Sequence, residues 1–131
     1  MTMRFSAVGL IAGDMKETLA FYRLLGFDIP AEADAEEHVE VTVAGGVRLM
    51  WDSMATVRTI DPGWTPPSGG HRAALAFDCG TPAEVDRAYA ELTAAGYPGH
   101  HAPWDAFWGQ RYATVTDPDG NPVDMFAALP G

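Results

Sequence analysis

The chain predicts an α+β protein of two tandem β-α-β-β-β modules, each curling a mixed sheet around a concave groove. Three observations carry that prediction: one helix punctuation is written twice, a strand-like run precedes each copy, and a glycine-marked hairpin follows each. Asp14-Met15-Lys16-Glu17 opens the first helix and Thr81-Pro82-Ala83-Glu84 the second. Both are capping boxes, an oxygen-bearing N-cap with glutamate three residues on, and Pro82 suits the first helical position. The helices close at Gly26-Phe27 and Gly96-Tyr97, where a left-handed stop favours glycine. Counted back from those glycines, Leu19, Tyr22 and Leu25 fall where Tyr89, Leu92 and Ala95 fall, one buried stripe used twice.

Around the helices the strands follow in order. Phe5 to Ile11 and Ala73 to Phe77 read as the strands entering each helix. Hairpin turns fall at Gly45-Gly46 and at Asp117-Pro118-Asp119-Gly120-Asn121. In His38-Val39-Glu40-Val41-Thr42-Val43 the valines form the face that packs on the helix, leaving His38, Glu40 and Thr42 opposite. The same alternation puts Val47, Leu49 and Trp51 beneath the helix and Arg48, Met50 and Asp52 on the second face. These second faces are either solvated sheet or the lining of a site. The N-terminal module spans residues 1–58, a Pro/Gly-rich linker 59–70, and the C-terminal module 71–131, all in one compact domain. Trp64 in the linker either folds onto the body or waits for a ligand or partner.

Composition sets the class of partner. A hydrophobic fraction of 47 % is ordinary for a globular chain of 131 residues. No run approaches membrane-spanning length and the start lacks a signal-peptide pattern, so a cytoplasmic protein with no membrane partner is expected. The single Cys79 reads as a small buried thiol in a reducing compartment. Eighteen acids against eight bases give a formal charge of −10 without any basic cluster, which argues against nucleic acid. The acids keep the surface soluble or, where they line a cleft, attract cationic small molecules.

The stretch Ala20-Phe21-Tyr22-Arg23-Leu24-Leu25-Gly26-Phe27, the segment Asp117-Pro118-Asp119-Gly120-Asn121-Pro122-Val123-Asp124 and the paired modules resemble the vicinal oxygen chelate superfamily. That group holds glyoxalase I, extradiol dioxygenases, fosfomycin-modifying enzymes and bleomycin-resistance proteins, and the resemblance covers essentially the whole chain. It implies a metal site at four strand positions, which fall on Ala7, Met50, Ala74 and Asp124. Alanine offers no donor and a thioether is a poor ligand for hard divalent ions, so no metal and no other cofactor is expected. The tandem His100-His101 points to opposite sides of an extended chain, His71 sits at a strand mouth, and only His38 with Glu40 could seed another site.

Small residues at Ala7, Gly9, Ala74 and Ala76 leave volume, walled by Phe5, Met50 and Phe126. Trp104, Phe107 and Trp108 lie within five residues, followed by Gly109 and Arg111, an order similar to the bleomycin-resistance branch. Those aromatics either line a pocket or close the core or a dimer seam. The resemblance implies a homodimer with two equivalent pockets, although pairing of modules within one chain is also open. The expected ligand-binding residues are Phe5, His38, Glu40, Arg48, Met50, Trp64, Trp104, Phe107, Trp108, Arg111, Asp124 and Phe126, with no catalytic residue. The expected role is non-catalytic sequestration of a bulky aromatic natural product, a cationic one being suited to the charge, for self-resistance. Two alternatives stand beside it. One is a glyoxalase- or dioxygenase-like lyase or isomerase with an atypical or absent metal site, using His38, Glu40 or Asp124 as acid or base. The other is a partner-binding regulatory domain.

Overall fold

The computed structural model describes residues 2–131 and divides between Pro67 and Ser68 into two compact units, the boundary falling inside the Pro/Gly-rich stretch. Among the described residues the protein is a mixed α+β fold with three α-helices and two mixed sheets, one of three strands and one of four.

In the first unit, β1 (Ala7–Ala12) leads into α1 (Met15–Leu24), followed by a 3₁₀ helix (Ala31–Ala35), β2 (His38–Thr42), β3 (Arg48–Ser53) and α2 (Met54–Ile60). The Asp14 carboxylate accepts the Glu17 N–H at 3.2 Å to start α1, and Gly26 (φ 106°) ends it with the Phe27 N–H reaching the Tyr22 carbonyl. β3 is the central strand, parallel to β1 and antiparallel to β2. Its helix-facing residues Leu49 and Trp51 are buried with Val39, Leu19 and Tyr22, and the Tyr22 and Trp51 rings meet at 5.1 Å. Each such side chain contributes about 1.5–3 kcal/mol by leaving water.

This unit departs from the β-α-β-β-β expectation. Between α1 and β2 it carries the 3₁₀ helix where a strand was expected, and its sheet has three strands. The segment Asp28-Ile29-Pro30-Ala31-Glu32-Ala33-Asp34-Ala35-Glu36-Glu37 explains the difference, because Pro30 cannot donate to a ladder and Asp, Glu and Ala disfavour strands. The 59–70 stretch is not wholly irregular either. α2 runs through Ile60, started by Ser53, whose hydroxyl accepts the Thr56 N–H at 3.1 Å. The entering strands also begin later than the apolar runs suggest: β1 starts at Ala7, so Phe5 precedes it.

The second unit follows the expected order: β4 (Leu75–Asp78), α3 (Pro82–Ala94), β5 (Gly99–Ala106), β6 (Gln110–Thr116) and β7 (Pro122–Ala128). The sheet order is β4-β7-β6-β5, with β4 parallel to β7 and the other pairs antiparallel. Thr81 caps α3 by accepting the Glu84 N–H at 3.3 Å, and Gly96 (φ 100°) terminates it. Val85 and Leu92 are buried with Ala113, Val115, Val123 and Met125 of the helix-facing side of the sheet. Ala95, expected in the buried stripe, is exposed, and Tyr89 is half-buried above Gly99, where a Cβ would lie 2.8 Å from its Cζ. The Asp117 carboxylate fixes the β6–β7 turn by accepting the N–H groups of Asp119 and Asn121 and the Asn121 side-chain amide, each at 2.9 Å.

Candidate functional site

Strand alternation in the first unit collects a polar chain on the face away from α1. The register pairs His38 with Asp52, Glu40 with Met50 and Thr42 with Arg48. His38 Nδ1 lies 2.5 Å from Asp52 Oδ1 and Nε2 lies 2.7 Å from Glu40 Oε2, so both ring nitrogens meet carboxylates. Arg48 continues the chain, donating to Glu40 Oε1 at 3.1 Å and to the Ser6 hydroxyl at 3.2 Å. The hydrogen bond to Glu40, then that to Asp52, raises the His38 pKa above 6.5, while His38 and then Arg48 hold the Glu40 carboxyl below its ordinary value. Met50 sits within this face over Gly9, whose added Cβ would lie 3.9 Å from Met50 Cε. Thus His38, Glu40, Arg48 and Met50 share one face as the alternation implies. Phe5 stands before β1 and is 69 % exposed. Trp64 belongs to the loop after α2, where the Arg58 guanidinium lies 5.4 Å from its ring centroid, a cation–π contact within the chain.

In the second unit the face opposite α3 carries an aromatic array. The β5–β6 turn closes with the Gly109 N–H on the Ala106 carbonyl at 3.0 Å and Gly109 at φ 95°, which projects Phe107 and Trp108 from the hairpin tip. Phe107 is 90 % exposed and Trp108 48 %. The Trp108 ring takes edge contacts from Trp104 at 5.5 Å, Phe107 at 4.9 Å and Tyr112 at 5.4 Å. Tyr112 stacks on Phe126 at 6.3 Å, and Trp104 extends the series to His101 at 5.3 Å. Trp108 Nε1 donates to Gln110 Oε1 at 2.7 Å, which fixes the indole plane.

Asp124 lies on the same face. Its Oδ2 accepts from the Tyr112 hydroxyl at 2.7 Å and its Oδ1 from the Thr114 hydroxyl at 2.8 Å. Burial, followed by the bond to Asp124, pushes the Tyr112 phenol up to about 12, so it stays a donor through the neutral range. Sequence reading named Asp124 but missed Tyr112 and Thr114. The signal was present, since alternation along Gln110–Thr116 puts both on the face of Asp124 and Phe126. Arg111 is corrected by the same rule. It pairs across the ladder with Ala127 on the α3 side, and its guanidinium donates to Asp86 of α3 at 2.9 Å and to Asp105 at 3.0 Å. It does not join the aromatic face.

The positions implied for a metal do not fit one. In the first unit, Ala7 has no donor and Met50 offers a thioether. In the second, Ala74 has no donor and both Asp124 oxygens already accept protein hydroxyls. Among the described residues no group of three His, Cys, Asp or Glu side chains is arranged to hold a metal ion. Cys79 is half-buried and burial raises its thiol pKa, which disfavours the thiolate needed of a nucleophile.

Comparison with known proteins adds the lineage. A family model described as the Glyoxalase/Bleomycin resistance protein/Dioxygenase superfamily matches residues 4–125. No curated protein matches the sequence. Among solved structures, a glyoxalase/bleomycin resistance protein/dioxygenase family enzyme from Burkholderia phytofirmans PsJN is similar with a TM-score of 0.83 at 20 % identity, covering 97 % of this chain and 100 % of that one. A glyoxalase/bleomycin resistance protein/dioxygenase from Nocardioides gives 0.75 at 23 % identity, covering 100 % and 87 %. A protein from Agrobacterium tumefaciens solved by solution NMR gives 0.73 at 27 % identity, covering 99 % and 100 %. Likenesses under 25 % identity speak to the fold, and a fold hosts many chemistries.

Proposed function

We propose that this chain, which belongs to the glyoxalase/bleomycin resistance protein/dioxygenase superfamily, binds a planar aromatic small molecule against the aromatic sheet face of its second unit and holds it without changing it. The carrying observation is the exposed aromatic array at the β5–β6 tip, with Trp108 contacting Trp104, Phe107 and Tyr112. Rigid rings offer stacking area at low entropic cost. Asp124 lies on the neighbouring strand two register positions from the Tyr112–Phe126 pair and presents a carboxylate already oriented by two hydroxyls. A cationic guest gains from that charge and from the overall −10.

Sequestration rather than turnover is supported by the donor-poor residues at Ala7, Met50 and Ala74, and self-resistance to a toxic natural product is the role that fits such a binder. Assembly as a homodimer is part of the same proposal, supported by large apolar side chains left in water, Phe107 at 90 % and Ile60 at 82 % exposure. One observation favours an enzymatic reading: His38, clamped by Asp52 and Glu40, could hold a proton for general acid catalysis. Titration with proflavine, a planar aromatic cation, tests the proposal. Saturation at one molecule per chain, weakened when Trp108 is replaced, supports binding at the aromatic face. Absence of saturation contradicts it.

A further inference from the structure

The two units differ at one strand position, and among the described residues that difference leaves one sheet edge without a paired strand. By order and direction β1, β2 and β3 of the first unit correspond to β4, β6 and β7 of the second. In the second unit β5 pairs along the outer side of β6. In the first, β2 ends the sheet order, and among the described residues no strand pairs with its outer side. The chain that would supply this strand forms the 3₁₀ helix instead.

The ladder fixes which backbone groups face outward. The Val43 N–H donates to the Val47 carbonyl and the Ser53 N–H to the Glu37 carbonyl, so residues 37, 39, 41 and 43 face β3. His38, Glu40 and Thr42 therefore direct their N–H and C=O groups away from the sheet. A cleft of about 340 Å³ runs along this edge, between residues 38–41 and the 3₁₀ helix. Ile29, Ala33 and Val39 are its buried apolar walls, and Asp28, Glu32 and Glu36 also line it.

We propose that the β2 edge accepts an extended, lysine- or arginine-bearing peptide segment as an added strand. The outward groups supply main-chain hydrogen bonds, the apolar walls receive alternate side chains, and the three carboxylates select a basic sequence. Four residues of β2 line the cleft, so a segment of similar length, about 13 Å when extended, matches it. A second copy of this chain is the poorer occupant. Its own β2 edge would bring a matching set of acids against this one, and like charges across a strand pair repel.

The test is calorimetric titration of the full chain with a capped hexapeptide alternating lysine and valine. Three comparisons accompany it: the same peptide with alternate backbone nitrogens methylated, a glutamate-valine peptide, and the Glu32→Gln/Glu36→Gln variant. The expected result is saturable one-to-one binding, about tenfold weaker after methylation, because every second backbone donor is removed while the charge is kept. The glutamate peptide should not bind, and the double variant should bind the lysine peptide about fivefold more weakly while keeping its melting temperature. Equal affinity of the methylated and unmethylated peptides would overturn strand addition in favour of charge alone. Equal binding of the glutamate peptide, or no saturation by the lysine peptide, would also overturn it.

Discussion

Replacing Trp108 by alanine separates a ligand anchor from a core residue. At 48 % exposure about half of the indole is covered, roughly 125 Å² of a side chain that buries at most about 250 Å². At about 25 cal/mol per Å² that cover contributes about 3 kcal/mol. The figure falls to about 2 kcal/mol once the partial burial of the unfolded chain is subtracted. The bond to Gln110 is exposed and adds little. Trp51 provides the contrast: it is 0 % exposed against Tyr22, so its replacement by alanine should cost about 3–5 kcal/mol. Denaturant titration should therefore rank Trp108→Ala as the milder variant. Its affinity for proflavine, followed by the dye's absorbance, should fall by about 1–3 kcal/mol, the scale of one lost stacking anchor. A Trp108→Ala protein that barely folds, yet binds normally in its folded fraction, would refute the reasoning and assign Trp108 to the core.

Three further outcomes follow from named contacts. Asp52→Asn should lower the His38 pKa, read from the imidazole Cε1 proton in NMR titration. Because that pKa is raised in the folded state, the stability it gives is full below 6.5 and is lost as pH rises through the folded value, so the melting temperature of the parent should decline across that window more steeply than that of the variant. Gly99→Ala should cost about 1–3 kcal/mol in thermal melts, since the new Cβ overlaps the Tyr89 hydroxyl and forces that ring aside. Replacing Tyr89 by leucine in the same background should restore part of the loss. Asp117→Ala should cost about 3 kcal/mol in denaturant, because three N–H groups of the β6–β7 turn lose a charged acceptor.

The helix boundaries were legible because they are local chemistry. Asp14, Thr81, Gly26 and Gly96 each act through bonds to residues at most a few positions away. Strand faces were legible for the same kind of reason, since His38, Glu40 and Arg48 follow a two-residue period regardless of partner. What escaped depended on competition between segments. The run from Asp28 to Glu37 has the place of a strand in the repeat, yet Pro30 and its acids turn it into a 3₁₀ helix, so the repeat symmetry misled. α2 escaped because Ser53, its cap, reads equally as the end of β3. Arg111 was drawn to the site by its nearness to Trp108, whereas the pleat sends it to Asp86 on α3. Tyr112 and Thr114 emerge only when β6 is laid in register against Asp124 of β7.

The central claim, that the aromatic face of the second unit holds its guest without altering it, meets its most direct test in one titration followed by recovery. Proflavine added to the purified chain should change its absorbance to saturation at one molecule per chain. Denaturation should then return it with unchanged mass, as read by mass spectrometry, even after long incubation with excess ligand. Recovery of a mass-shifted product in amounts exceeding the protein would contradict the account and place the chain among the enzymes of its superfamily.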